Sequence, residues 1–179
     1  MYVMIDTLTS KKEIKFALLF LLIFSVLHFS YTSIRGTRLE TLAIDILTVI
    51  PSVWFINNFS PEEQIVAKGE KLVSPFGSIT ILNGCEGFES MFLLFAAIVA
   101  FKACWRKKLL GLFVGMSIIY FLNQMRIVIL YFCFRYRKEW FDPIHSQIGP
   151  TLIILIACIF FLAWATMARA SSQQNDQLT

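Results

Sequence analysis

A cysteine, an arginine and a histidine are the residues of this chain whose chemistry stands apart from their surroundings. Cys85 lies in Asn83-Gly84-Cys85-Glu86-Gly87, where a polar, turn-rich stretch gives way to a long apolar run. Arg126 and His145 interrupt an otherwise apolar C-terminal half. A cysteine attacks as its thiolate, and the N–H groups and dipole at a helix start lower a thiol pKa. His145 is suited to take that proton and return it to a leaving amine. Arg126 is suited to stabilise a developing oxyanion or to hold a carbonyl or carboxylate. Gly84 and Gly87 remove side chains where a substrate backbone would approach. Glu86 and Glu89 are close enough in sequence to pair with Arg126 or to orient His145. Asn123, one turn before Arg126, suits a hydrogen bond between helices.

The elements that must position these residues are membrane helices. Of 179 residues, 57% are hydrophobic and only 16% charged, with 18 phenylalanines and a net charge of +4. The mean hydropathy is +0.68. A water-soluble domain is about half apolar and about a quarter charged, so a single polytopic membrane domain over residues 1–170 is expected. The basic residues flank apolar runs instead of forming a stripe, which reads as membrane topology and excludes a nucleic-acid partner. Of the four cysteines, Cys104, Cys133 and Cys158 lie in or at the ends of apolar runs, and none forms a C-x-x-C pair. A thiol oxidoreductase would need a second cysteine near Cys85. A metal site would need more ligands than Cys85 and His145. No metal and no cofactor are expected.

Four segments are long enough to span, at about 20 apolar residues per crossing: 16–34, 88–104, 109–131 and 148–168. A fifth apolar run, 41–59, carries Asp45, Pro51, Asn57 and Asn58, and is expected to be interfacial or re-entrant, or else an extra span. Residues 62–82 suggest a small external hairpin with Ser74-Pro75-Phe76-Gly77 as a turn, Ser78–Ile81 as one arm and Ile65–Val73 as the other. The polar tail 171–179 is expected to be disordered. The fold class is thus an all-α integral membrane bundle of four, or five, helices with a small hairpin before Cys85.

Topology brings the three residues together. The cluster Lys102, Arg106, Lys107 and Lys108 marks a cytoplasmic loop, as do Lys11, Lys12 and Lys15 before the first span. The span 88–104 that leads into that loop is 17 residues long, and Arg126 is 17 residues along from Leu109, each about 25 Å of helix. His145 falls in the connection that the same count puts outside. Cys85, Arg126 and His145 therefore share one face at similar depth.

Asn83-Gly84-Cys85-Glu86-Gly87 with Glu89, Asn123-x-x-Arg126-Ile127 and His145 resemble the exosortase/archaeosortase family of multi-pass membrane cysteine enzymes. Over Ser78–Trp164 the chain resembles the short subgroup called exosortase H, including Ala-Phe-x-Ala-x-Trp-Arg at 100–106. Glu86 stands where that subgroup usually has Asn. The resemblance implies Cys85 as nucleophile, Arg126 as substrate or transition-state stabiliser and His145 as acid and base. It implies a protease or transpeptidase of the plasma (inner) membrane with its site facing the extracytoplasmic side. Its partners would be secreted proteins whose C-terminal tail carries a short motif, a transmembrane helix and a basic cluster. The alternative is a non-catalytic membrane assembly or chaperone factor, in which these polar residues only join helices.

Overall fold

The computed structural model describes residues 2–81 and 85–176, with side chains over 11–81 and 85–169. Asn83 and Gly84 lie outside the described residues. The chain is an all-α membrane bundle carrying one small sheet. Its helices are α1 (Tyr2–Ile34), α2 (Arg38–Ile44), α3 (Ile50–Phe59), α4 (Phe88–Ala100), α5 (Trp105–Tyr136), α6 (Phe141–Pro143) and α7 (Gly149–Asp176). Among the described residues four helical stretches are long and apolar enough to cross a membrane: Lys11–Ile34, Arg38–Phe59, Trp105–Tyr136 and Lys138–Arg169. α4 is shorter, at 13 residues or about 20 Å. It packs against α1, α5 and α7. α7 continues through Asp176, so Ser171–Asp176 extends the last helix where an irregular tail was expected. Once the apolar part has formed a helix, each further residue adds a hydrogen bond without a new nucleus.

Two prolines shape the chain near the site. A π-turn over Asp45–Val49 joins α2 to α3, and Pro51 sits in the first turn of α3. Proline has no N–H, so the Leu47 carbonyl four residues back loses its usual donor. Gln124 of α5 supplies one, Nε2 to Leu47 O at 2.9 Å, while Ser52 Oγ donates to Gln124 Oε1 at 2.6 Å. A second π-turn, Ile144–Ile148, precedes Pro150 in the same way. There the Gly149 N–H reaches back to Ile144 O. The next nitrogen, Pro150, has no proton to give His145 O.

Residues 66–80 form a three-stranded antiparallel meander in place of the expected two-armed hairpin: β1 (Val66–Lys68), β2 (Lys71–Ser74) and β3 (Gly77–Thr80), in the order β1-β2-β3. The arm expected over Ile65–Val73 is split because Gly69 takes a left-handed conformation, φ 59°, and turns the chain back. The sheet anchors both ends of the 38–59 stretch. Thr41 Oγ1 donates to Glu70 Oε1 at 2.9 Å, and Asn57 exchanges two hydrogen bonds with the backbone of Ile65.

The interior divides in two. One core, including Ile44, Ile56, Leu72, Ile127 and Tyr131, gathers around Cys85 beneath the sheet. The other, including Leu94, Ile98, Ile119, Ala157 and Trp164, fills the space between α4, α5 and α7. Here Gly111 and Gly115 let helices approach: a Cβ on Gly115 would come within 2.8 Å of Leu94 Cδ2, and one on Gly111 would meet the Trp164 indole. Leu18, Leu22, Phe29, Phe113 and Leu162 stay exposed on the outside, as acyl chains require.

Candidate active site

Cys85 lies three residues before α4, in the short segment that links the sheet to that helix. Gly87 caps the helix with φ 81°, a left-handed conformation that strains any side chain. The space a Cβ would occupy there is filled by Asn123, whose Cγ would lie 2.6 Å away. Gly87 thus admits a neighbouring helix, not a substrate backbone. Asn123 uses that approach to donate Nδ2–H to Cys85 O at 3.1 Å, fixing the backbone under the thiol.

Arg126 follows one turn later on the same face of α5 and is buried, at 6% exposure. Its Nη2 donates to His145 O at 2.9 Å and lies 3.4 Å from Cys85 Sγ, and its Nη1 approaches Asn123 Oδ1 at 3.5 Å. The carbonyl it takes is the one that Pro150 leaves without an N–H. Gly149 makes the route possible: a Cβ there would fall 2.6 Å from Arg126 Nε and 2.8 Å from its Cδ. A single guanidinium therefore ties the thiol to the turn that carries the histidine.

His145 Nδ1 stands 2.9 Å from Cys85 Sγ, with Nε2 farther at 3.8 Å. The imidazole is stacked nearly parallel on Phe141, 9° between planes and 5.7 Å between centroids. An aromatic ring thus packs beside the imidazole while its Nδ1 meets the sulfur. With Nδ1 as the acceptor, the ring proton belongs on Nε2. Cys85 is itself 3% exposed, and burial pushes its thiol above the ordinary range; Arg126 opposes that shift and the Glu86 carboxylate adds to it. The helix start was expected to lower this pKa, but loss of water outweighs it. A thiol held protonated beside a neutral imidazole and a cation can ionise when a substrate arrives, losing its proton to Nδ1.

The two glutamates have other engagements. Glu86 is buried and accepts the Tyr31 hydroxyl on Oε1 at 2.8 Å, with Glu40 Oε1 3.5 Å from the same hydroxyl. Its Oε2 is buried with no hydrogen-bond partner among the described residues. Glu89 pairs with Arg35 at 3.2 Å and lies 3.9 Å from His28, on the seam between α1 and α4. Tyr31, Glu40, Phe141 and Pro150 are the members of this site that sequence reasoning missed. Only the prolines carried a local signal, since each marks a carbonyl free for a side chain from elsewhere.

Besides Glu86 and Glu40, another buried carboxylate lies near the site. Glu63 accepts hydrogen bonds from Tyr131 at 2.6 Å and Tyr136 at 2.7 Å, with Arg135 at 3.7 Å. It ties the turn before β1 to the end of α5. Burial acts to raise its pKa, but the two hydroxyls and Arg135 together hold it below the usual carboxylate range. Among the described residues no group of three or more histidines, cysteines and carboxylates could hold a metal.

No curated protein and no solved structure matches this chain. The model of one protein family, described as transmembrane exosortase (Exosortase_EpsH), matches residues 7–164. That match runs from the first membrane helix into the last and takes in Cys85, Arg126 and His145, and with it the chain belongs to the transmembrane exosortase family.

Proposed function

We propose that the protein is a cysteine protease or transpeptidase that cleaves the C-terminal sorting tails of secreted proteins at the outer face of the plasma (inner) membrane. The observation that carries this reading is the contact of Cys85 Sγ with His145 Nδ1 at 2.9 Å beside Arg126 Nη2 at 3.4 Å. Nδ1 takes the thiol proton as sulfur adds to the scissile carbonyl. Arg126 faces the oxyanion that forms, in a site poor in water where such a charge contact is strongest. The imidazolium then protonates the leaving amine, the C–N bond breaks, and the tail departs. What remains is a thioester between Cys85 and the new C-terminus, which water or an amine attacks in turn. His145 takes a proton from that water or amine and passes it to the sulfur as the C–S bond breaks, which restores the thiol.

The outward orientation rests on charge. Lys102, Arg106, Lys107 and Lys108 lie at the end of the bundle away from Cys85, as the excess of basic residues on the cytoplasmic side favours. The 38–59 stretch begins and ends against the sheet, which supports a helix lying along the site end without crossing. A secreted substrate would then present its motif to Cys85 while its own helix stays in lipid.

The test is cleavage of a tail-bearing secreted protein by membranes containing Cys85→Ala, Arg126→Ala or His145→Ala protein. All three should insert normally and leave the tail uncut. Full processing by Cys85→Ala would overturn the enzyme and favour a non-catalytic assembly or chaperone factor.

A further inference from the structure

The site holds a second feature that its three catalytic residues do not use. A cavity of about 60 Å³ is walled by Leu72, Ile79, Ile81, Ile127, Leu130 and Phe141, and shares Cys85 and His145 with the catalytic centre. Tyr131 also lines it, but with its hydroxyl committed to Glu63; Thr80 adds one more hydroxyl. Among the described residues no carboxylate, lysine or arginine lines it. We propose that this cavity is a specificity pocket for one aliphatic side chain of the substrate, on the acyl side of the scissile bond.

Size, polarity and position argue for this together. A water-sized group needs about 10–15 Å³ on the same measure, so the cavity takes roughly four to six such groups. That suits valine, leucine, isoleucine or proline and is too small for an aromatic ring. A carboxylate or ammonium group would lose its hydration against these walls with nothing to replace it. The walls come from the sheet, the far end of α5 and α6, beyond the thiol from the membrane interior. The substrate's tail helix must leave toward lipid, so the pocket is left to the segment that stays bound as the thioester. The proposal rests on the peptidase reading above.

The experiment needs no natural substrate. N-acetyl aminoacyl chloromethyl ketones place an acyl-side side chain next to a carbon that Cys85 attacks. A sulfur–carbon bond forms, the carbon–chlorine bond breaks, chloride leaves, and the thiol proton passes to His145. The full-length protein in lipid vesicles is treated with the glycyl, valyl, leucyl, phenylalanyl and aspartyl ketones, and alkylation at Cys85 is followed by mass spectrometry. Each rate is divided by that with iodoacetamide in the same variant, which cancels differences in thiol reactivity.

The valyl and leucyl ratios should exceed the glycyl, phenylalanyl and aspartyl ones by about tenfold or more, the usual discrimination of an apolar pocket. Ile79 is half-buried in β3, so it can be changed with little risk to the core. Ile79→Phe should drop the valyl and leucyl ratios to the glycyl level, and Ile79→Ala should raise the phenylalanyl ratio. A flat ketone series, or Ile79 variants that leave the ratios unchanged, would overturn the pocket. If His145→Ala leaves the iodoacetamide rate at Cys85 unaltered, the peptidase reading fails instead, and the pocket with it.

Discussion

The two cores of this bundle solve the problem of a membrane interior in opposite ways. Around Leu94, Ile119 and Trp164 the interior is apolar, helices close on glycines, and hydrogen bonds from side chains appear at the ends. Lys107 Nζ donates to Ala168 O at 3.1 Å, Lys108 Nζ to Val99 O at 2.6 Å, and Trp164 Nε1 to Lys107 O at 3.2 Å. Around Cys85 buried polar groups meet one another: Arg126 with Cys85 and His145, Glu86 with Tyr31, Gln124 with Ser52, Glu63 with Tyr131. Buried polar groups of this kind are expensive unless each finds a partner. One half thus uses apolar packing for adhesion, and the other holds an arrangement that packing alone could not specify.

The contrast can be broken first at its charges. Arg126→Lys places one ammonium on a differently shaped side chain where Nη2 now reaches both the sulfur and the His145 carbonyl and Nη1 approaches Asn123. Tail cleavage should fall by about 10²–10³-fold, the loss typical of an oxyanion donor. Lys107→Ala, at the other end, should leave cleavage within about twofold. Equal losses in one cleavage assay would erase the distinction.

The glycines separate the halves by kind of effect. Gly149→Ala should displace Arg126 and, on the proposed mechanism, reduce cleavage by about tenfold or more, since a 1 Å misplacement of a group that faces the reacting atoms is costly. Gly111→Ala should instead lower the stability of the bundle by about 1–3 kcal/mol through overpacking against Trp164. Thermal unfolding measured beside activity per folded molecule distinguishes them.

The pH profile of Cys85 alkylation by iodoacetamide sharpens the electrostatics. The thiol lies above its ordinary range, so the rate should keep rising at alkaline pH. Arg126 favours the thiolate, and Arg126→Gln should move the midpoint higher. Glu86 disfavours it, and Glu86→Gln should move the midpoint lower while keeping an acceptor for Tyr31. Shifts of the same sign in both variants would mean that structure, not charge, was read.

The smallest effect belongs to Glu63. Its pKa is depressed on folding, so its contribution is present above the ordinary carboxylate value and fades as pH falls through the folded one. Glu63→Gln should destabilise by about 1–3 kcal/mol near neutrality and flatten the acid limb of a stability–pH curve. An acid limb identical to the parent's would show that the carboxylate does not supply that dependence.

Part of this was legible in the sequence. Counting residues from the basic loop gave Cys85 and Arg126 one depth, and the helix spacing of Asn123 and Arg126 set both on one face. Glu89 was drawn toward the site by proximity in sequence, yet a residue four beyond Cys85 on α4 looks across to α1 and Arg35. Tyr31 and Glu86 are 55 positions apart, and no periodicity couples them. The π-turns before Pro51 and Pro150 were hidden because a helical pattern shows where carbonyls lie but not which have lost their donors.

The sequence by itself determined that this chain lives in a membrane and that Cys85 and Arg126 fall at the same end of their helices. Hydrophobic length and charge placement act locally and along one axis, so a single chain reveals them. The tertiary structure alone decided who touches whom around that axis. It placed His145 Nδ1 on the thiol, gave the proline-freed carbonyl to Arg126, turned Glu86 toward Tyr31 and left an apolar pocket beside the sulfur. Rotation of a helix about its own axis follows from packing against distant neighbours, and that information is spread over the whole chain.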